Sequence, residues 1–345
     1  MRAAKAASML TSLVKVGLFG GRLDVSSQIH LLRAKIVSGL NNGRPIADHR
    51  HPRSSSAKKV YQTIFNNATR MIMGLKQSSS ASLMQLRLEM GIWSLDEEND
   101  YTTLLFFHRL AISHPTTYHH QAFEREFHAF MHGKTQLKTP YMHTFVFLLT
   151  HYDLDPRQAI SKSTWKTHLR NRINAKSTSI LNHHLQQNPR LRQRYGTPKL
   201  HTLPTYLQVG HFKGRKYIVK ARLGILGLQT YLHAMWPTIQ ECCPLCGAAK
   251  EDFPHFFFSC SQPASARIRA DFTSTMDPSM NERISKGTVQ ERHFKALMFE
   301  PQSRGVATPL MQAYAKQLGK CLSDLWQNRK FTIKAPTTGN VGPAI

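Results

Sequence analysis

The sequence predicts a mainly α-helical fold, and three kinds of observation support this prediction. Apolar residues recur at helical spacing in several segments, and Ser, Gly or Pro residues mark the ends of these segments. Segments with the alternating pattern of a β-strand are scarce. A chain of 345 residues is long enough to form two or three compact units.

Four segments carry the helical pattern. Residues 58–76 place one apolar stripe on a helix face, formed by Val60, Ile64, Ala68, Met71 and Leu75. Residues 78–91 begin with serines and end with glycine, which predicts a short capped helix. Residues 97–113 predict a helix that ends before the His114-Pro115 turn. Residues 310–329 repeat the apolar pattern, with the stripe Leu310, Tyr314, Leu318, Leu322 and Leu325.

The charge of the chain predicts a polyanionic partner. The formal net charge is +26 and the pI is about 10.2. Residues 156–240 contain no Asp or Glu but fifteen Lys or Arg, interleaved with aromatic residues. This stretch is either a solvated basic linker or a phosphate-contacting segment, and we favour the second. The residues predicted to contact phosphates are Arg170, Arg172, Arg190, Arg192, Arg194, Lys213, Arg215 and Lys216. Prolines bound residues 188–199, which predicts a loop there.

Four of the five cysteines lie in one short window. Its spacing is Cys243-x2-Cys246-x8-His255-x4-Cys260, in which a Cys-x2-Cys turn directs two thiolates at one ion. Three thiolates and one imidazole predict a closed, structural zinc site, and the alternative is a set of ordinary buried cysteines. The neighbouring Phe256 to Phe258 are expected to pack and anchor this knuckle. Cys242 is an adjacent packing residue or a competing ligand, and Cys321 is expected in the core.

The window resembles a known family. CPLCGAAKEDFPHFFFSC (243–260) and its lead-in ARLGILGLQTYLHAMWPTIQECC (221–243) are similar to the reverse-transcriptase zinc-binding domain at the C-terminal end of non-LTR retrotransposon reverse transcriptases. ATRMIMGLKQSSSASLMQLRLEMGIWSL (68–95) resembles the region after the polymerase, and LTSLVKVGLFGGRL to LLRAKIVSGL (10–40) resembles the thumb. The resemblance implies a helical thumb-like bundle followed by a Cys-Cys-His-Cys zinc knuckle and a C-terminal helical piece.

The same resemblance implies a nucleic-acid-binding function, but the sequence lacks the catalytic motif of the family. The family performs RNA-directed DNA synthesis, so the implied role is binding of RNA or DNA, with a polymerase palm-containing chain as a further partner. The palm motif of the family is Tyr-x-Asp-Asp, and this sequence contains no Asp-Asp pair. Because two-metal nucleotidyl transfer needs clustered carboxylates, we expect no catalytic residue and no synthesis by this chain alone. The alternatives are a zinc-stapled protein-interaction module and a degenerate retroelement fragment.

The predicted organisation has five parts and an intracellular setting. The parts are a thumb-like helical region (1–125), a basic region (126–225), the zinc knuckle (226–265), a C-terminal helical region (266–330) and a disordered tail (331–345). Five cysteines in so long a chain favour a reducing compartment, the nucleus or cytoplasm. The basic, acid-free residues 1–21 leave a mitochondrial transit peptide as a lesser alternative. No apolar run is long enough to span a membrane.

Overall fold

A computed structural model describes most of the chain. The described residues are 2–19, 23–41, 56–133, 140–155, 161–209, 214–288 and 309–334. Within these ranges every regular element is helical and none is a strand. The prediction of a mainly α-helical protein is therefore confirmed.

The chain forms two compact units. Unit 1 comprises Met1–Gly20, Ser27–Ile72 and Ser82–Thr202, and unit 2 comprises Gly21–Ser26, Met73–Ala81 and Leu203–Ile345. The predicted boundary at residues 125 and 126 lies inside a helix of unit 1, and the five-part division stays a prediction. No helix of the described ranges combines the length and the apolar character needed to cross a membrane.

Apart from two short helical stretches after the second helix, nine α-helices are described in unit 1. They are α1 (Arg2–Lys15), α2 (Val25–Leu31), α3 (Ser56–Ile72), α4 (Leu83–Met90), α5 (Leu95–Ala111), α6 (Tyr118–Met131), α7 (Pro140–His151), α8 (Lys162–Gln186) and α9 (Pro189–Tyr195). The first two residues of α2, Val25 and Ser26, belong to unit 2. After α2 the chain continues through a π-helical stretch, Leu32–Val37, and a last turn, Ser38–Asn41. One hydrophobic core cluster joins α5 and α8 to α6 and α7.

Helix α8 buries one face because its apolar residues recur every fourth position. The buried side chains on this face are Trp165, Leu169, Ile173, Ser177, Leu181 and Leu185. The hydroxyl of Ser161 accepts a hydrogen bond from the N–H of Thr164 and so satisfies one of the open donors at the helix start. The exposed basic residues of α8 flank this buried stripe, with Lys162, Lys166 and Arg170 on one side and Arg172 and Lys176 on the other.

Two sequence predictions in unit 1 have opposite outcomes. Helix α4 begins with a reciprocal capping box between Ser82 and Gln85 and ends at Gly91, which has φ +59°, so the predicted capped helix is confirmed. The predicted loop at residues 188–199 is wrong, because Pro189–Tyr195 form α9. Pro189 is the first residue of that helix, where a missing N–H leaves no hydrogen bond unmade.

In its described residues, unit 2 contains six α-helices, one π-helical turn (His255–Ser259) and the cysteine window. The helices are α10 (Thr205–Gln208), α11 (Arg215–Leu223), α12 (Gln229–Met235), α13 (Pro263–Thr275), α14 (Pro278–Ser285) and α15 (Pro309–Lys334). Helix α15 packs against α11, α10 and α13. The predicted tail was expected from residue 331, but α15 continues to Lys334, and residues 335–345 lie outside the described ranges.

Most residues of the predicted apolar stripes are buried, but the first residue of each stripe is exposed and Met71 is only partly buried. In α3, Ile64 and Ala68 are buried, whereas Val60 is 47% exposed. In α15, four of the five stripe residues are buried and Leu310 is 41% exposed.

Candidate metal centre

A tight backbone turn positions the first two cysteines. The N–H of Gly247 donates to the carbonyl of Cys243 at 2.9 Å, and the N–H of Cys243 donates to the carbonyl of Ala248 at 2.8 Å. Gly247 has φ +74°, a conformation that glycine adopts without steric penalty. The turn therefore folds the chain back directly after Cys246 and leaves both thiols on one side.

A short π-helical turn supplies the other two side chains. It spans His255–Ser259, and the N–H of Cys260 donates to the carbonyl of His255 at 2.8 Å. The carboxylate of Asp252 accepts a hydrogen bond from the N–H of His255 at 2.9 Å. Five residues therefore close one turn, and His255 and Cys260 are both presented to the cysteine turn.

The four predicted side chains form one group. The ligand atoms of Cys243, Cys246, His255 and Cys260 all lie within 4.8 Å of one another. The Sγ atoms of Cys243 and Cys260 are 3.9 Å apart, and the Sγ of Cys246 lies 3.3 Å from Nε2 of His255. Four such donors at these separations could hold one metal ion in a closed coordination shell.

The thiols differ in their acidity. Burial raises the pKa of Cys243 to about 12 and also raises the pKa of Cys260. Burial acts in the same direction on Cys246, but hydrogen bonds from the N–H of Ala248 and from the Cys243 thiol outweigh it and lower its pKa to about 6. Three thiolates are not favoured together in this small space unless a cation neutralises them, which fits a metal-binding group.

Aromatic packing anchors the knuckle, as the sequence predicted. Phe256 and Phe257 are buried and Phe258 is partly buried. Phe257 stacks on Phe253 with ring centroids 5.5 Å apart, and Phe256 meets the edge of Trp326 on α15 at 6.4 Å. These contacts attach the metal-site turn to the C-terminal helix.

A buried ion pair makes a second attachment. The carboxylate of Glu251 accepts two hydrogen bonds from the guanidinium of Arg329, at 2.7 and 2.8 Å. It also accepts one from the N–H of Gln229 at 2.8 Å. Glu251 lies between the two halves of the ligand set, so this pair ties the centre of the knuckle to α15. Nothing in the local sequence pattern distinguished Glu251 or Arg329 from other charged residues.

The two remaining cysteines lie outside the ligand group. Cys242 is not part of the ligand group, and its Sγ lies 3.5 Å from the side-chain oxygen of Gln240. Cys321 is buried on α15, as expected for a core residue, and burial raises the pKa of its thiol to about 12.

The basic residues predicted to contact phosphates differ in their exposure to solvent. Four of them are exposed: Arg170, Arg172, Arg192 and Lys216. Arg215 is not at the surface, because it is only 5% exposed, and burial lowers the pKa of its guanidinium. The prediction that Arg215 contacts phosphates is therefore wrong. Arg215 is buried because it begins α11, which packs against α15. The side chains of Arg190 and Arg194, and the whole of Lys213, lie outside what the structure describes.

Comparison with known proteins gives no match: no family model, no curated protein and no solved structure is similar enough to this chain to count as one. The fold and the site therefore define the class by themselves. The class is an α-helical protein with a Cys-Cys-His-Cys group that could hold a metal ion.

Proposed function

We propose that the chain is a zinc-stabilised nucleic-acid-binding protein, and that it is the non-catalytic, C-terminal part of a non-LTR retrotransposon reverse transcriptase. The sequence resemblance at residues 243–260 and 68–95 supports the second part of this proposal. The first part rests on the ligand group of unit 2 and on the exposed surface of α8 in unit 1.

The geometry of the ligand group supports zinc. In a tetrahedral site with Zn–S bonds of about 2.3 Å, two sulfurs lie about 3.8 Å apart, and a sulfur and an imidazole nitrogen lie about 3.5 Å apart. The corresponding separations are 3.9 Å for Cys243 and Cys260, and 3.3 Å for Cys246 and His255. Since all four positions are filled by protein, the ion would be structural and would stabilise the small knuckle.

The exposed face of α8 is the observation that carries nucleic-acid binding. This helix has 25 residues, so it is about 37 Å long. It contains no acidic residue, and its exposed basic side chains are Lys162, Lys166, Arg170, Arg172 and Lys176. Lys162, Lys166 and Arg170 follow one another at intervals of four residues and so form one stripe along the helix. A row of cations without acids is the footprint expected for phosphate contacts.

Two exposed arginines of α8 have partners within the protein. Arg172 forms an ion pair with Asp153 at 3.0 Å, in which the aspartate is 86% exposed. The guanidinium of Arg170 lies 5.8 Å from the ring centroid of Tyr101. Exposed pairs of this kind contribute about 0–1 kcal/mol, so a phosphate can replace the partner. The lysines of the face are therefore the better targets for a test.

Acidic residues that cluster in the sequence of unit 1 have structural partners. In the acid-rich stretch 96–100, Glu97 bonds Arg87, Glu98 bonds Arg33 and Asp100 bonds Tyr152. Carboxylates engaged in this way are poor candidates for holding two catalytic metal ions. We therefore expect no primer extension by this chain on a primed RNA template with magnesium and nucleotides.

A matched pair of triple variants tests the proposal. One variant replaces Lys162, Lys166 and Lys176 of α8 with Gln. The other replaces Lys5, Lys35 and Lys59, which are also exposed lysines of unit 1, so both variants lose the same charge. Affinity for an oligonucleotide is measured at several salt concentrations for both variants and for the wild type.

We expect the α8 variant to reduce the salt slope by about 2 to 3, since each phosphate contact contributes about 0.7 to 0.9. The control variant should keep the wild-type slope. Binding should weaken about equally for unrelated sequences, because phosphates carry no sequence information. Equal slopes for the two variants would refute the α8 surface, and a wild type without salt-dependent binding would favour the protein-interaction module instead.

A further inference from the structure

Unit 2 has its own basic surface, which three separate segments form. We infer that this four-lysine cluster is a phosphate-binding site; its members are Lys76, Lys216, Lys220 and Lys330. The inference rests on the proposed function in one respect, since the expected occupant is the phosphate backbone of a bound nucleic-acid strand. Three of these lysines were not predicted as contacts from the sequence.

The turn at Gly74 brings Lys76 close to two lysines of α11. Lys216 and Lys220 are four residues apart on α11 and therefore lie on the same helix face. The turn at Gly74 packs against this face, because a Cβ atom on Gly74 would lie 3.6 Å from the Cβ of Lys216. Lys76 follows that turn by two residues, so it lies near the lysines of α11.

Helix α15 brings the fourth lysine. Gly214, at the start of α11, lies against the backbone of Gly319, so closely that a Cβ on Gly214 would overlap it. One turn further on, the ring centroid of Tyr217 is 6.4 Å from that of Trp326. From Gly214 to Tyr217 on α11, the contacts therefore advance from Gly319 to Trp326 on α15. Because Lys330 follows Trp326 by one turn, it lies beside the C-terminal half of α11.

The carboxylates of the described residues do not pair with the lysines of this cluster. In the described part of the chain none of the four lysines forms an ion pair with a carboxylate. Lys76, Lys216 and Lys330 are exposed and Lys220 is partly buried. Burial and then the charges of Lys216, Lys330 and Lys76 lower the pKa of Lys220, which agrees with the packing that places these three ammonium groups near Lys220.

The arrangement suits an extended polyanion. Four cations held close together by packed helices repel one another, and an anion with several negative oxygens removes this repulsion. The ammonium of Lys216 also lies 5.1 Å from the ring centroid of Tyr217, a contact that keeps it on this surface. Lysines contact phosphates as point charges, so the site should recognise phosphate without reading base sequence.

The test uses the full chain and two variants of equal charge. The cluster variant replaces all four lysines of the site with Gln. The control variant replaces four other exposed lysines of unit 2 with Gln, and these are Lys250, Lys286, Lys316 and Lys320. Thermal unfolding is followed with and without inorganic tripolyphosphate, and oligonucleotide affinity is measured against salt.

Tripolyphosphate tests the site independently of nucleic acid. It should raise the unfolding temperature of the wild type and the control variant, and the cluster variant should lose most of that rise. Without the ligand, the cluster variant should unfold at the wild-type temperature or above it, because like charges have been removed. Equal stabilisation of the cluster and control variants by tripolyphosphate would overturn the site.

The oligonucleotide measurement tests the role of the site. We expect the cluster variant to flatten the salt slope by about 3 to 4, relative to the control variant, since four contacts of about 0.7 to 0.9 each are lost. If tripolyphosphate binding depends on the four lysines but the wild type binds no oligonucleotide, the phosphate site stands and the proposed function fails. If oligonucleotide binding is salt-dependent but equal in the two variants, the nucleic-acid role of the cluster is overturned.

Discussion

Glu251 and Arg329 form a buried, two-bonded ion pair between the cysteine window and the C-terminal helix. Their side chains are 0% and 7% exposed, and the two N–H···O distances are 2.7 and 2.8 Å. The residues are 78 positions apart in the chain. The pair therefore makes the metal-site turn part of the helical core of unit 2, because neither charge can be left buried without the other.

Loss of one partner of this pair should destabilise unit 2 strongly. Glu251→Gln leaves the Arg329 guanidinium buried without its counter-charge, and the expected loss of stability is about 3–5 kcal/mol. Glu282→Gln is the control, since the Glu282–Lys286 pair is more than half exposed and should contribute less than about 1 kcal/mol. Hydrogen exchange of the α15 amides measures both effects. Similar exchange rates in the two variants would contradict the prediction.

Replacing Cys246 should release the zinc ion, whereas replacing the nearby Cys242 should not. Cys246→Ser removes one of four ligands and should abolish retention of the single zinc ion, with loss of structure around residues 243–260. Cys242→Ser should retain the ion, because Cys242 lies outside the group. Metal analysis of the purified proteins, prepared without chelators, measures both. A zinc-free wild type would show that the group binds no zinc.

Gly91 should tolerate no side chain, for a reason that Gly133 does not share. Both residues have positive φ, +59° and +65°, so alanine costs about 1–2 kcal/mol at either position. At Gly91 the new Cβ would also lie 2.6 Å from the carbonyl oxygen of Lys199, whereas at Gly133 nothing lies within 4 Å. Gly91→Ala should therefore lower the stability of unit 1 at least twice as much as Gly133→Ala. Equal losses in denaturant unfolding would disprove the close approach.

His201 should make the stability of unit 1 depend on pH. Burial, and then the charges of Arg33 and Arg170, lower the pKa of His201 from 6.5 to about 4. Between these values the unfolded chain binds a proton that the folded chain does not, so stability falls as the pH decreases from about 6.5 to about 4. The same neutral ring lies 3.0 Å from the Asn174 side-chain oxygen and can donate to it from Nε2.

His201→Asn tests this pH dependence. Asn does not titrate in this range and tolerates the positive φ of +58° at this position. The variant should lose less stability than the wild type when the pH is lowered from 7 to 4. Unfolding midpoints measured across that range provide the comparison. Parallel pH profiles would exclude His201 as the titrating group.

The local sequence was sufficient for the helical character of the chain and for the group of four possible metal ligands, although it missed the helix at Pro189–Tyr195. The capping box at Ser82 and the glycine stop at Gly91 act within one or two helical turns, so residue order determines them. The Cys243 and Cys246 turn and the His255–Cys260 turn are equally local. For this reason the spacing predicted the four side chains that the structure brings together as a group that could hold a metal ion.

Only the tertiary structure decided which charged residues are buried and which are brought together. Arg215 and Lys216 are adjacent in sequence, yet the packing of α11 on α15 buries the first and exposes the second. The lysines at positions 76, 216, 220 and 330 form one cluster although more than 250 residues separate the first from the last. The physical reason is that composition determines the total charge of the chain, whereas its local density depends on how distant helices pack.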